Sequence, residues 1–505
     1  MDAGANSREL IYKQNGYTST QQLVFGLLDH SNFITHDTKS ENGADLDFTS
    51  KEQTIAAFAQ ALLGYKEYLF FNLGGRNSWS STLEKNNRSL FYPSASISFI
   101  PTSAISTFRG SKNINFLKLR FGYATSARFP DPYATRTVLN ISTRYFVDKN
   151  STAVNTNFIS DLLPNPDLKP ELQREFEAGV EGKFIDNRLS LDLTFYKRIA
   201  RDQILRRDLD PSTGYTAQEI NAGNVTNKGI ELALGYTVIR NANWRWQLDG
   251  LYTLNRSKVT KLPSDLKQVL VAGYTTLGNF AINDKPYGVI QGYFIQKDTS
   301  HAKALGQRIV NSIGDYLVSS DIGIIGDPNP LYKITGISTL SYKWLSFRMQ
   351  WEYTQGGAMY SSTAVNLVGR GVTKETDFDR TLPFILPGVK EDGTPNDIQV
   401  SATEAFFDNL VGSGTDLAVF DATLIRLREA SLSFYLPQKI IGKTPFGSIA
   451  VTVSGTNLWY YAPNFPKHVH FDPDTSGFGV SNGSGLEFFS GPSSRRYGAS
   501  ITVTF

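Results

Sequence analysis

The residues best placed for metal chemistry lie near the C-terminus, where His468-Val469-His470 precedes Asp472 and Asp474. An extended chain repeats every two residues, so both imidazoles would share one face, and a site built from His468, His470 and Asp472 is conceivable. The plainer reading is an exposed polar loop. Only 5 His and no Cys occur in the chain, and the two aspartates lack the full pattern of a calcium-binding loop.

Hydrolytic chemistry finds little support. No HExxH helix motif occurs, and no serine sits near a histidine in a recognisable nucleophile–base pattern. Glycines 477, 479, 483 and 485 could suggest a phosphate cradle, but no apolar strand and helix flank them as that chemistry requires. The reading is therefore not an enzyme, and nothing in the sequence implies a cofactor.

Ligand handling needs no catalysis, because stacking aromatics and polar side chains can hold a sugar or peptide by many weak contacts. Trp79, Tyr460, Tyr461, Phe478 and Phe488 are the candidates. The competing reading places them in an interfacial girdle, where aromatic rings anchor a protein at the level of lipid headgroups. Glu175, Glu177, Asp192 and Arg348 fall on polar strand faces, where they would tune passage or pair across neighbouring strands.

The elements that must carry these residues are strands. Hydrophobic residues make up 40% of the 505 and charged residues 19%, yet no apolar run of about 18 residues occurs, so helical membrane spans are excluded. Aromatics reach 12%, which favours pleated, half-buried surfaces. The 50 basic and 47 acidic residues nearly balance, so no single-signed field points to nucleic acid. The absence of cysteine fits an exported protein.

Strict alternation supports the assignment. Leu189, Leu191, Leu193 and Phe195 alternate with Ser190, Asp192, Thr194 and Tyr196, and Ile230, Leu232, Leu234 and Tyr236 with Glu231, Ala233 and Gly235. A soluble or surface-exposed glycan-binding sandwich would alternate in the same way, with its greasy face inward, so connection lengths must help. Tight connectors such as 64–67, 185–188, 240–243 and 341–343 alternate with long polar stretches at 35–50, 79–90, 128–169, 203–218, 356–419 and 460–494. Short turns on one rim and long loops on the other match an all-β, antiparallel transmembrane β-barrel.

Fourteen strands are expected, at 20–34, 53–64, 68–78, 91–101, 113–126, 171–184, 188–202, 219–239, 243–257, 331–342, 344–355, 420–436, 446–459 and 495–505. The count rises to 16 if 258–330 holds two more. An even number places both chain ends on the short-turn rim. The last strand ends on Phe505, either a recognition signal for the barrel-assembly machinery or simply a strand that stops.

Residues 58–99, FAQALLGYKEYLFFNLGGRNSWSSTLEKNNRSLFYPSASISF, resemble the hairpin block of the SusC/RagA family of TonB-dependent outer-membrane transporters. Further blocks follow in that family's order: Asn165-Pro166-Asp167-Leu168-Lys169-Pro170-Glu171, Asn221-Ala222-Gly223, Gly326-Asp327-Pro328-Asn329-Pro330, Val453-Ser454-Gly455-Thr456-Asn457-Leu458 and Phe471-Asp472-Pro473-Asp474. The resemblance covers residues 50–505. It implies import of oligosaccharides or peptides through a 22-strand barrel with an internal plug, set in outer-membrane lipid. It also implies a SusD-like surface lipoprotein partner and energy from the TonB-ExbB-ExbD complex. The first residues, MDAGANSRELIYKQNGY, show no signal peptide, and no TonB box or plug is recognised, so residues 1–505 are expected to form part of such a barrel.

Overall fold

The computed structural model describes all residues except 39–44, 109–110, 148–152, 402–415, 443, 470, 476 and 478–482. Its framework is a single antiparallel sheet of fourteen strands. In chain order these are β1 (Asp2–Gln14), β2 (Phe48–Tyr65), β3 (Leu69–Ser80), β4 (Ser89–Phe99), β5 (Ile114–Arg128), β6 (Glu171–Phe184) and β7 (Leu189–Arg201). They continue with β8 (Asn224–Arg240), β9 (Trp244–Lys261), β10 (Tyr332–Tyr342), β11 (Leu345–Gln355), β12 (Leu424–Tyr435), β13 (Ser448–Tyr461) and β14 (Arg496–Thr504). Each strand pairs with the next, β1 lies at one edge and β14 at the other, and no ladder joins them among the described residues.

Thirteen of the fourteen expected strands coincide with these. The first does not: 20–34 is no wall strand, because Thr18–Gln22 and Phe33–Asp37 form a separate two-stranded hairpin. Asp2–Gln14 takes its place, paired along β2 from Asp2 opposite Gln60 to Gln14 opposite Phe48. Its mixed run DAGANSRELIYKQ alternates too weakly to advertise a strand. The stretch 258–330 does not raise the count to 16 either. Its strands Gln268–Gly273, Gly278–Ile282, Val289–Gly292 and Gly323–Gly326 form a four-stranded sheet of their own.

Turn chemistry sets the short rim. Lys66 and Glu67 both adopt positive φ, 46° and 62°, the backbone of a two-residue turn whose twist matches the flanking strands. Ile185, Asp186 and Asn187 do the same between β6 and β7. The connections 100–113 and 436–447 on this rim are longer, each holding one helical turn, Pro101–Ala104 and Gln438–Ile441.

The register decides between a sandwich and a membrane barrel. On one face a row runs from Phe71 through Ile97, Phe121, Ala178, Phe195 and Ile230 to Leu254. Two residues nearer the short-turn rim on β7, β8 and β9, a second runs from Leu193 through Leu232, Tyr252 and Ile334 to Tyr353. Among the described residues no second sheet covers these rows: Phe121 is 57% exposed and Phe195 49%. Most of the buried apolar residues lie instead in the long connections, among them Ile295, Val310 and Leu386 in one cluster and Met359, Ala364 and Phe465 in another. A water-soluble sandwich requires the reverse arrangement. Strands of 9–18 residues that keep their hydrogen bonds within the sheet suit hydrocarbon, where an unpaired backbone group costs several kcal/mol.

Placing a cation on the apolar face tests this assignment. Phe195→Arg is expected to lower folding stability in lipid vesicles by about 2–4 kcal/mol, while Thr253→Arg on the opposite face costs less than about 1 kcal/mol. Urea titration followed by heat-modifiable gel migration reads both.

Candidate functional site

The inner face of the wall carries ordered charge. Glu175 and Arg198 face each other across β6 and β7 with Nη2 to Oε1 at 2.9 Å. Arg120 on β5 reaches past β6 to Asp192 on β7 at 2.5 Å. Gly179 makes that reach feasible, since a Cβ there would lie 2.6 Å from Arg120 Nε. Arg348 pairs with Glu429 at 2.9 Å. These are cross-strand pairs of the kind that fix register and line a lumen.

The densest network lies where β12 and β13 meet the long loops. The sequence Leu424-Ile425-Arg426-Leu427-Arg428 alternates, so both arginines share the polar face. A register shift between Leu427 and Glu429 against β13 then brings Glu429 onto that face beside Arg428, as an inserted residue does in a bulge. Arg428 grips Glu352 with two bonds, 2.7 and 3.0 Å, and donates to Asp474 at 2.8 Å. Arg426 pairs with Asp472, both side chains 3% exposed, and its guanidinium lies 5.6 Å from the Tyr460 ring centroid. Asp472-Pro473-Asp474-Thr475 closes as a turn, with Asp474 N–H donating to Asp472 Oδ1 at 3.1 Å and Thr475 Oγ1 to the Asp472 carbonyl at 3.0 Å. Two atoms of this network, Arg426 Nε and Asp472 Oδ2, have no hydrogen-bond partner among the described residues.

A second tie joins the long loops to each other. Glu487 is fully buried at the N-terminus of the helix Ser362–Gly369. It accepts from Ser361 Oγ at 2.7 Å, Thr363 Oγ1 at 2.6 Å, Thr363 N–H at 3.1 Å and Ser490 N–H at 2.5 Å. A carboxylate there meets both orphan N–H groups and the positive end of the helix dipole. Between these ties lies a cavity of about 520 Å³, lined in part by Thr363, Asn457, Tyr460, Phe471, Asp472 and Arg495. That size suits a ligand of a few sugar or amino-acid units.

Tyr460 and Asp472 are thus brought together. Tyr461 points the other way, sharing a face with Trp459 at a centroid distance of 6.4 Å. Trp79 lies on the face of β3 that carries Phe71 and Leu73. Phe488 packs in the loop core against Tyr360 and Tyr274, at 5.8 and 5.7 Å. His468 is exposed. Phe478 and His470 lie outside the described residues. Among the described residues no group of three or more His, Cys, Asp and Glu is close enough to hold a metal, and Asp472 is committed to Arg426. Arg426, Arg428, Glu352 and Glu487 were not singled out from sequence. The alternation at 424–428 could have marked the two arginines, whereas nothing near Glu487 signals its burial. The sequence also contains Gly479-Val480-Ser481-Asn482-Gly483, the letters of a serine-nucleophile turn; Gly479, Val480, Ser481 and Asn482 lie outside the described residues.

A smaller cavity of about 210 Å³ is lined by Arg128, Asp131, Glu171, Arg206 and Glu219. Burial pushes the Glu219 carboxyl above its ordinary value, the nearby Asp131 adds to this, and Arg206 and Arg128 oppose it.

The wall and loops define a membrane β-barrel protein whose long-loop rim carries a cavity. The chain belongs to the TonB-dependent receptor β-barrel family, whose description, TonB dependent receptor-like, beta-barrel, matches residues 4–377. Proteins of this family are outer-membrane receptors and transporters, not enzymes. TonB-dependent receptor P3 of Formosa agariphila is 25% identical over 99% of this chain and 50% of its own length. TonB-dependent receptor P26 of the same organism is 26% identical over 90% and 46%. The chain therefore spans about half the length of the curated relatives it matches. Among solved structures, the RagAB peptide transporter aligns with a TM-score of 0.70 at 20% identity, covering 95% of this chain and 50% of that one. The closed-closed state of the RagAB peptide importer aligns at 0.71 and 18%, covering 100% and 55%. At these identities the likeness is one of fold, and it agrees with the SusC/RagA resemblance read from the sequence.

Arg426→Ala would leave Asp472 buried without its counter-ion, at a cost of about 3–5 kcal/mol. The expected result is protease sensitivity at 462–495 with the wall still heat-modifiable, and the double variant R426L/D472L is expected to recover much of the loss. For Glu219 the folded value is raised, so its favourable contribution is complete in acid and is lost as pH rises through that value. Glu219→Gln is expected to raise the melting temperature at pH 8 and to leave it unchanged at pH 4.

Proposed function

We propose that this chain forms part of an outer-membrane importer that takes up oligosaccharides or peptides with energy delivered through TonB from the TonB-ExbB-ExbD complex. The observation that carries the reading is the pairing of an uncovered apolar wall with a rim of folded loops enclosing a ligand-sized cavity. RagAB is a peptide importer, which supports uptake of small polymers by a protein of this fold. By the same likeness, a SusD-like surface lipoprotein would sit over the long-loop rim. Phe505 would engage the barrel-assembly machinery.

In this reading the fourteen strands are one part of a larger multi-pass barrel in the outer membrane. The unpaired edges of β1 and β14 and the half-length match to relatives support it. An open edge in lipid would leave a row of backbone groups unsatisfied, and further strands and a plug would remove that cost.

Gene deletion in the native bacterium tests the proposal. Uptake of fluorescent oligosaccharides or peptides is expected to fall at least tenfold in the deletant, and a protonophore is expected to abolish it in the parent. Uptake that is unchanged by deletion and insensitive to the protonophore would contradict it.

A further inference from the structure

The outward face of the wall carries charge at one place that import does not use. On β7 the outward positions run Leu191, Leu193 and Phe195, and the next one towards the long-loop rim is Lys197. Lys197 lies directly opposite Lys228 on β8, and Lys228 directly opposite Arg256 on β9. One register row therefore sets three cations on three adjacent strands, spaced about 4.8 Å apart. Two residues nearer the short turns, the same strands carry the apolar row Phe195, Ile230 and Leu254. In the next row outward stand Arg174 and Lys258, at either end of a line through Ile199 and Thr226.

Like charges directly opposite each other destabilise a sheet, and an acid on the same face would cancel the effect. The acids of β6 to β9, such as Glu175, Asp192, Glu231 and Asp249, all fall on the inward face. Lys258 finds Asp284 beyond the end of β9 at 2.8 Å, but Lys197, Lys228 and Arg256 form no ion pair among the described residues. All three are exposed. Arg256 Nη1 donates to the Asn255 and Leu331 carbonyls at 3.0 and 2.8 Å, which steadies the guanidinium and leaves Nε and Nη2 for an anion. The cluster is local: over β11 to β13 an outward row near the long loops reads Tyr353, Ile425 and Tyr461, without charge.

We propose that Lys197, Lys228 and Arg256 bind the phosphorylated headgroup of a lipid whose acyl chains lie along Phe195, Ile230 and Leu254. Single lysines at a membrane edge reach into water without any alignment; three cations in one row make a concentrated positive site that phosphate oxygens satisfy by charge-assisted hydrogen bonds. The two rows lie about 7 Å apart along each strand, so a molecule with both an apolar tail and an anionic head uses both, whereas a soluble anion uses only one. Long loops of such barrels face the cell exterior, which assigns the lipid to the outer leaflet. The proposal rests on the outward face lying in lipid and is independent of what the barrel imports.

The test measures binding of fluorescent lipid A, a diphosphorylated acyl glycolipid, to the full chain in neutral detergent micelles. K197Q/K228Q/R256Q is expected to weaken binding at least tenfold with heat-modifiable migration unchanged, and K197R/K228R to retain it. The same lipid stripped of both phosphates is expected to bind the parent chain at least tenfold more weakly, and pyrophosphate at the lipid concentration is expected not to displace lipid A. Binding indifferent to the triple variant, equal binding of the phosphate-free lipid, or displacement by equimolar pyrophosphate, the mark of a soluble-anion site, would each overturn the proposal. A stability readout serves if the triple variant assembles poorly. K228Q, which removes the central charge, is expected to raise the urea midpoint in zwitterionic vesicles, where the repulsion is unrelieved, and to lower it in vesicles containing lipid A. A shift of the same sign in both would contradict a lipid-phosphate site.

Discussion

A sheet that faces hydrocarbon must satisfy each of its backbone N–H and C=O groups internally, because lipid offers no hydrogen bonds in exchange. In water an unpaired group costs little; in a bilayer it costs several kcal/mol. From that follow the continuous ladder from β1 to β14, the tight turns with paired positive-φ residues on one rim, and the movement of irregular backbone to the other. Side chains then obey the period of two, apolar outward and polar inward. Hydrophobic burial, which organises a soluble protein from the centre, acts here mainly in the loops.

The loops consequently behave as a small folded layer with its own cores and its own ties. Arg426 and Asp472 fix the C-terminal loop to the wall, and Glu487 fixes it to the helix Ser362–Gly369. Such groups are costly to bury singly and tolerable in pairs. Their burial gives the rim a defined shape, and a defined shape is what a ligand cavity requires.

Much of the wall was legible in the sequence because alternation and turn spacing are local signals. Leu189 to Tyr196 announces both the strand and its two faces. Asp2–Gln14 did not, since Ala3, Ala5, Gly4 and Asn6 give no contrast between faces and its assignment depends on pairing with β2. The 258–330 segment was ambiguous for a related reason: short apolar runs such as Gln268–Gly273 fit a wall strand or a buried loop strand equally. At the rim, Tyr460 could be guessed from type alone. The Arg426–Asp472 pair joins residues 46 positions apart, and the Glu487 tie to Ser361 spans 126. No periodicity reports contacts at that range.

The claim on which the account rests is that the apolar face of this sheet contacts lipid. The chain has no cysteine, so spin labels can be attached at single introduced cysteines along β7 without removing native thiols. Collision with molecular oxygen, which concentrates in the bilayer, should then be measured at each position in reconstituted vesicles. The account predicts a period of two, with high oxygen accessibility at 191, 193 and 195 and low values at 190, 192 and 194. A flat profile, or maxima at the even positions, would contradict it.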